Sequence, residues 1–189
     1  LPFYQYAQKQ LQRIFFYRHQ VLKYDMENRV GRIQKQRILI SGGSGVIGKA
    51  LVSFLKTCGH EVICLVRDPD NRSEDKLFWD PYQNILDMDA LGPVDAVINL
   101  NGVDISKGRW DRRQRKLIVD SRVIPTRVIV EKMKQMPKPP STYICASAIG
   151  FYGDGGDTKL TEESEPNDCF ISRVCRRWEE ASFGAAKAG

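Results

Sequence analysis

Gly42, Gly45 and Gly48 stand three residues apart, between the aliphatic run Ile38–Ile40 and a stretch with helical periodicity. A chain leaving a buried strand must turn sharply to start a helix packed on that strand. Glycine takes the backbone angles such a turn needs. Lacking a side chain, it also lets a pyrophosphate approach the backbone, and inside the helix it allows close packing on the strand. The helix N-terminus then offers unpaired N–H groups and a positive dipole end. Three spaced glycines alone are a weak signal, and the flanking elements supply the context. The helix carries Val46, Ile47, Ala50, Leu51, Phe54 and Leu55 at helical spacing and stops at Gly59; a second strand, 61–66, follows. This strand–helix–strand unit predicts a dinucleotide site.

The end of the second strand is where the adenosine ribose arrives in such a unit. An acid there binds the 2′-hydroxyl and repels a 2′-phosphate. This chain has Arg67 instead. A guanidinium matches a phosphate in charge and fork geometry, so NADP is predicted in preference to NAD.

Residues 77–81 read as a third strand and 95–100 as a fourth, ending in Asn101-Gly102. Residues 111–136 read as a long helix capped by Asp111, with Leu117, Ser121, Ile124 and Val128 as its buried stripe. Pro125 is predicted to kink it or divide it in two. Residues 142–146 form a fifth strand leading into Ser147–Gly153, and a last helix starts near Cys169 with Val174, Trp178 and Ala181 on one face. Five strands alternating with helices predict an α/β fold with a doubly wound parallel sheet.

Residues 1–30 read as one amphipathic helix, with Phe3, Ala7, Leu11, Ile14, Tyr17, Val21 and Tyr24 recurring every three or four positions. Such a helix is unstable alone and needs a partner surface, in a preceding domain or a neighbouring chain. A basic amphipathic helix can also lie on a membrane surface. Residues 31–36 read as a polar linker, which leaves 37–189 as the nucleotide-binding domain.

The net charge of +6 raises the question of nucleic acid. Residues 1–37 hold eight basic and two acidic residues, which is the whole excess; the remainder is balanced. The cluster Arg109, Arg112, Arg113 and Arg115 reads as a solvated helix face. No nucleic-acid partner is expected. The five cysteines, an odd number, show no metal-ligand spacing. They predict free thiols in a reducing compartment, the cytoplasm. No apolar run reaches the length of a membrane span. His19 and His60 fit no catalytic pattern.

Taken together, the glycine pattern, Asn99-Leu100-Asn101-Gly102, Arg109-Trp110, Ser121-Arg122 with Thr126, Ser147 through Tyr152-Gly153, Thr161-Glu162 and Cys175–Glu179 resemble an atypical extended short-chain dehydrogenase/reductase of the epimerase-family, nucleoside-diphosphate-sugar epimerase-like branch. The resemblance implies a Rossmann-like fold and an NADP-dependent oxidoreductase or epimerase, with a substrate such as a nucleotide sugar. It places the cofactor on Gly42, Gly45, Val46, Ile47, Gly48, Arg67, Asn99, Leu100, Asn101 and Gly102, and implies no metal. Residues 1–25 look like the last helix of a fused START-like domain, and the resemblance implies a C-terminal substrate-binding part beyond residue 189.

The chain departs from the family's usual chemistry. Typical relatives use Tyr-x-x-x-Lys on the last helix, where the tyrosine moves a proton as hydride passes to or from the nicotinamide. The corresponding residues here are Cys175 and Glu179, and Ala148 stands where a serine or threonine is usual. Ser147, Tyr152, Cys175 and Glu179 are therefore the candidate catalytic residues. The alternative is a protein that binds NADP without turnover.

Overall fold

The computed structural model describes residues 2–29 and 34–187. They divide into two units, Leu1–Lys35 and Gln36–Gly189. The described part of the first unit contains one helix, α1 (Pro2–Arg29). Residues 30–33, which end the predicted helix and begin the predicted linker, lie outside the described residues. A single helix cannot bury its own apolar stripe, and Leu11, Ile14, Phe15, Phe16, Tyr17 and Leu22 are exposed.

The second unit is built on β1 (Arg37–Ser41), β2 (Glu61–Val66), β3 (Lys76–Asp80), β4 (Ile85–Leu86), β5 (Ala96–Asn99) and β6 (Thr142–Cys145). Its helices are α2 (Val46–Thr57), α3 (Met88–Leu91), α4 (Arg112–Lys134) and α5 (Phe170–Ser182). The six strands form one sheet in the order β4-β3-β2-β1-β5-β6. All pairs are parallel except β3–β4. The chain winds outward from β1 through β2 and β3, then returns to β5 on the other side of β1. That reversal opens a crevice at the carboxyl ends of β1 and β5, where open α/β sheets bind ligands.

Both faces of the sheet are covered, so the middles of its central strands are apolar. The pleat sorts them. Ile38, Ile40, Val62, Ala96 and Ile98 face Leu51, Val52 and Leu55 of α2. Leu39, Ile63, Leu65, Trp79 and Val97 face Ile129 and Met133 of α4. The sheet is therefore doubly wound, as the strand–helix alternation predicts.

Three local features differ from the sequence reading. The short β4 is a sixth strand, antiparallel to β3, with Trp79 opposite Leu86 and Asp80 opposite Ile85. It turns back through Asn84 at φ 57°, while the Asp80 carboxylate accepts the Tyr82 N–H. Pro125 does not divide α4, which runs unbroken from Arg112 to Lys134. The Asp111 carboxylate accepts the Gln114 N–H at 2.8 Å, the predicted cap. The buried arc of α4 is also wider than expected and shifted. Leu117 is exposed, whereas Ile118, Ser121, Val123, Pro125, Thr126, Ile129, Val130 and Met133 are buried. A helix that packs on both the sheet and α5 buries more than one stripe.

Candidate functional site

The glycine turn joins β1 to α2 under tight steric limits. Gly42 has φ +78°, and a Cβ there would stand 2.6 Å from the Leu100 carbonyl oxygen. A Cβ on Gly48 would stand 2.2 Å from the Gly42 oxygen and 2.7 Å from Gly43 Cα. The turn is closed by the Gly45 N–H donating to Gly42 O at 3.1 Å. Gly45 then caps α2 without a side-chain hydrogen bond, and no acidic residue occupies the first turn. The leading N–H groups of α2 therefore remain available to an anion. Val46 and Ile47 contribute those N–H groups, while their side chains are 93% and 71% exposed. They lie outside the apolar contact that holds α2 to the sheet.

Beside this turn opens a cavity of about 750 Å³, walled by Gly42, Gly45, Arg67, Leu100, Asn101 and Gly102. Its size suits a small-molecule or cofactor site. Arg67 is exposed and has no ion pair among the described residues. Lys49, Ser53 and Lys56 also line the cavity, from one face of α2. Their i, i+4, i+7 spacing was a readable signal that the sequence analysis did not use. Lys56 pairs with Asp75. Hydrogen bonds from Lys56 and Ser73 lower the Asp75 carboxyl to about 2. That lysine is already partnered, and Arg67 is free to meet a phosphate.

Asn99 has a different place from the one expected. It is fully buried and its side chain does not reach the cavity. Along β5, Asn99 shares the pleat parity of Val97, so it points under the sheet toward α4. Its Nδ2 donates to Thr126 Oγ1 at 2.8 Å and to Tyr143 OH at 3.3 Å. Its Oδ1 accepts from Ser41 Oγ at 3.0 Å and from Asn101 Nδ2 at 2.7 Å. Trp178 Nε1 donates to the same Thr126 oxygen at 3.1 Å. The network ties the ends of β1 and β5 to α4 and α5. Asn99 thus orients Asn101, which does line the cavity. Burial, partly offset by the Asn99 bond, raises the Tyr143 phenol well above its ordinary value.

The four candidate catalytic residues lie beyond β6 and do not line this cavity. Ser147 donates a short hydrogen bond to the Glu179 carboxylate. Cys175 is 2% exposed, with Sγ 3.7 Å from Ala148 O. Burial and the nearby Glu179 push its thiol up, so it stays protonated. Tyr152 is half-buried at the end of the turn Ile149–Phe151, with its ring edge-on to Phe151 at 5.2 Å. Ser172 Oγ anchors that turn by donating to Phe151 O at 2.6 Å. The structure therefore brings the Ser147–Ala148 segment against Cys175 and Glu179 of α5 and sets Tyr152 on the adjoining turn. Among the described residues no cluster of His, Cys, Asp or Glu has the arrangement of a metal site.

The profile of the NAD dependent epimerase/dehydratase family matches residues 38–175, from β1 into α5. The chain belongs to this family. An epimerase family protein of Mycobacterium leprae is 35% identical over 156 residues, which is 82% of this chain and 50% of that relative. The chain spans about half the length of the curated relatives it matches. The crystal structure of a nucleoside-diphosphate sugar epimerase from Corynebacterium glutamicum superposes with a TM-score of 0.74 at 37% identity, covering 93% of this chain and 38% of that one. The human epimerase family protein SDR39U1, crystallised with NADPH, superposes with a TM-score of 0.68 at 28% identity, covering 77% of this chain and 48% of that one. The family match encloses the whole glycine cavity and stops at Cys175.

Proposed function

We propose that this epimerase/dehydratase-family chain binds NADP(H) in preference to NAD(H), as the nucleotide half of an oxidoreductase or epimerase acting on a hydroxylated substrate such as a nucleotide sugar. The observation that carries this reading is the cavity bounded by the Gly42–Gly48 turn on one side and, on another, by Arg67, which has no ion pair among the described residues. The α2 N–H groups take the diphosphate, and Arg67 takes the 2′-phosphate. NADPH in the human relative supports the cofactor, and the activity named for the Corynebacterium protein supports the substrate class.

When bound, the nicotinamide supplies hydride-transfer chemistry. The chain's own task is then to hold and move a proton. The Ser147 hydroxyl already points at the Glu179 carboxylate. Glu179 can accept a proton through Ser147, and Tyr152 on the adjoining turn is the further candidate. Cys175 is a packed side chain in this scheme and supports the loop through Ala148.

One observation favours a second reading. Cys175, which the resemblance sets at the place of the family's usual tyrosine, is a buried thiol. That suits a protein that binds NADP as a sensor or scaffold without turnover.

Residues 1–30 are proposed as the last helix of a preceding START-like domain, 31–36 as a linker and 37–189 as the nucleotide-binding domain. The second unit holds 154 of the 189 residues, from 36 to 189. The 93% coverage by the Corynebacterium structure is larger than that share and so extends into the first unit. The exposed apolar face of α1 suits a domain or neighbouring chain packed on it. Five free cysteines suit a cytoplasmic setting. No helix among the described residues is long and apolar enough to cross a membrane.

Calorimetry with NADP⁺ and NAD⁺ tests the cofactor reading. Tighter binding of NADP⁺ is expected, and absence of heat with both overturns it. Following NADPH absorbance with candidate carbonyl substrates separates the enzyme from the sensor. If turnover is found, Tyr152→Phe and Glu179→Gln variants that keep it intact remove those residues from the mechanism.

A further inference from the structure

Asn101, Gly102 and Val103 form one wall of the cavity, yet they belong to a loop with no regular structure. Something must fix the shape of that wall. The fixing groups come from two adjacent residues of α4. Ser121 Oγ accepts the Val103 N–H at 3.2 Å. Arg122 Nη2 donates to the Val103 carbonyl at 3.1 Å. Both backbone groups of Val103 are therefore held from the same turn of helix.

Arg122 is fixed in its own right. Its Nη1 donates to Ile118 O at 3.0 Å, and its guanidinium lies over the Trp178 ring at 5.4 Å. Burial lowers its pKa, yet no carboxylate pairs with it among the described residues. A half-buried arginine satisfied by carbonyls and a ring face is a planar spacer more than an ion-pair partner. Gly102 lies flat against that plane, since a Cβ there would stand 3.0 Å from Arg122 Cζ. The arginine thus touches the cavity wall on one side and α5 on the other.

We propose that Ser121 and Arg122 clamp the loop after β5, and that Arg122 is a positioning residue for the dinucleotide. The inference rests on the reading of the cavity as a dinucleotide site. The clamp sets Gly102 and Val103 in the shape the cofactor meets, so ordering the loop costs nothing at the moment of binding. Without it the loop must be ordered by the cofactor itself, and affinity falls. Lysine in place of Arg122 reaches one carbonyl but cannot supply the flat, forked surface.

The test titrates NADPH into the wild type, Ser121→Ala, Arg122→Lys and Arg122→Met, following nicotinamide fluorescence, with thermal melting of each protein without cofactor. Arg122→Met is expected to weaken NADPH about tenfold or more, the size of one lost charge-assisted hydrogen bond. Arg122→Lys should fall between it and the wild type. Ser121→Ala should weaken binding while its melting temperature stays close to wild type. Wild-type affinity in the folded fraction of all three variants overturns the clamp, whatever happens to melting. NADH is titrated into the wild type as well, and a wild type that binds neither NADPH nor NADH instead overturns the dinucleotide reading itself.

Discussion

Gly48 sits against the Gly42 carbonyl so closely that an added Cβ would stand 2.2 Å from its oxygen. The contact is with backbone, which cannot swing aside as a side chain can. Gly48→Ala must therefore push the first turn of α2 away from the β1 turn. Overpacking of this kind costs about 1–3 kcal/mol. We expect urea denaturation to register that loss, and NADP⁺ binding to fall further because the N–H groups of Val46 and Ile47 move with the helix. Gly45→Ala is the control for stability alone: its Cβ would meet Gly42 O at 3.3 Å and its φ is −70°. Comparable losses of stability from both substitutions would contradict the steric account.

In the proposed function, Arg67 carries the choice between the two nicotinamide cofactors. It stands just past β2 on the cavity wall with no ion pair among the described residues. Arg67→Ala removes a guanidinium from the 2′-phosphate, and a hydrogen bond to a charged group is worth about 1.5–3 kcal/mol. NADP⁺ affinity should drop by that amount and NAD⁺ affinity should change little. Equal losses for the two cofactors in calorimetry would remove Arg67 from the 2′-phosphate site.

The sheet, the glycine turn and the α4 cap were legible in the sequence because each has a local rule. Strands and helices betray their period, and Asp111 precedes the helix it caps. The two residues of β4 are too few to carry a period. The burial of Ile118 in place of Leu117 depends on α4 packing against two partners at once, and no stripe on one helix reveals that. Asn99 was misplaced for a reason the sequence did contain. Ile38 and Ile40 pack toward α2 while Leu39 packs toward α4. In register across β5, Ser41 lies beside Asn99, and both carry the parity of Leu39 and Val97. Counting pleats would have sent Asn99 inward. The grouping of Ser147 with Glu179 spans 32 positions and needed the fold.

Asp75 gives the stability a pH dependence in acid. Its carboxyl is held at about 2, below its ordinary 3.8, first by the Lys56 hydrogen bond and then by Ser73. A lowered folded value means the contribution is complete above about 3.8 and disappears as pH falls through about 2. The pair is well exposed, so the effect is small. Asp75→Asn should be slightly less stable than wild type at pH 5, with the gap closing toward pH 2. A gap that stays constant over that range, measured by urea denaturation, would show that the ionised pair is not its source.

Asn99 is the buried hub, and its replacement by aspartate separates shape from hydrogen-bond direction. Asn99 Nδ2 donates to the Thr126 oxygen, which also receives Trp178 Nε1 while Thr126 donates its own proton to Arg122 O. That oxygen can only accept a further bond. An ionised aspartate would place a carboxylate oxygen against it with no proton between them. Burial would raise the new carboxyl's pKa, because charge is disfavoured there. When protonated, the acid can donate to Thr126 and restore part of the contact. Asn99→Asp should therefore lose about 1–3 kcal/mol at neutral pH, the cost of leaving a buried polar group unpaired. The loss should shrink as pH is lowered toward the carboxylate range, because the protonated form regains the donor. Asn99→Ala, which has no proton to regain, should show a loss that does not change with pH. If both variants give the same pH-independent loss in denaturation, the donor role of Asn99 in this network is wrong.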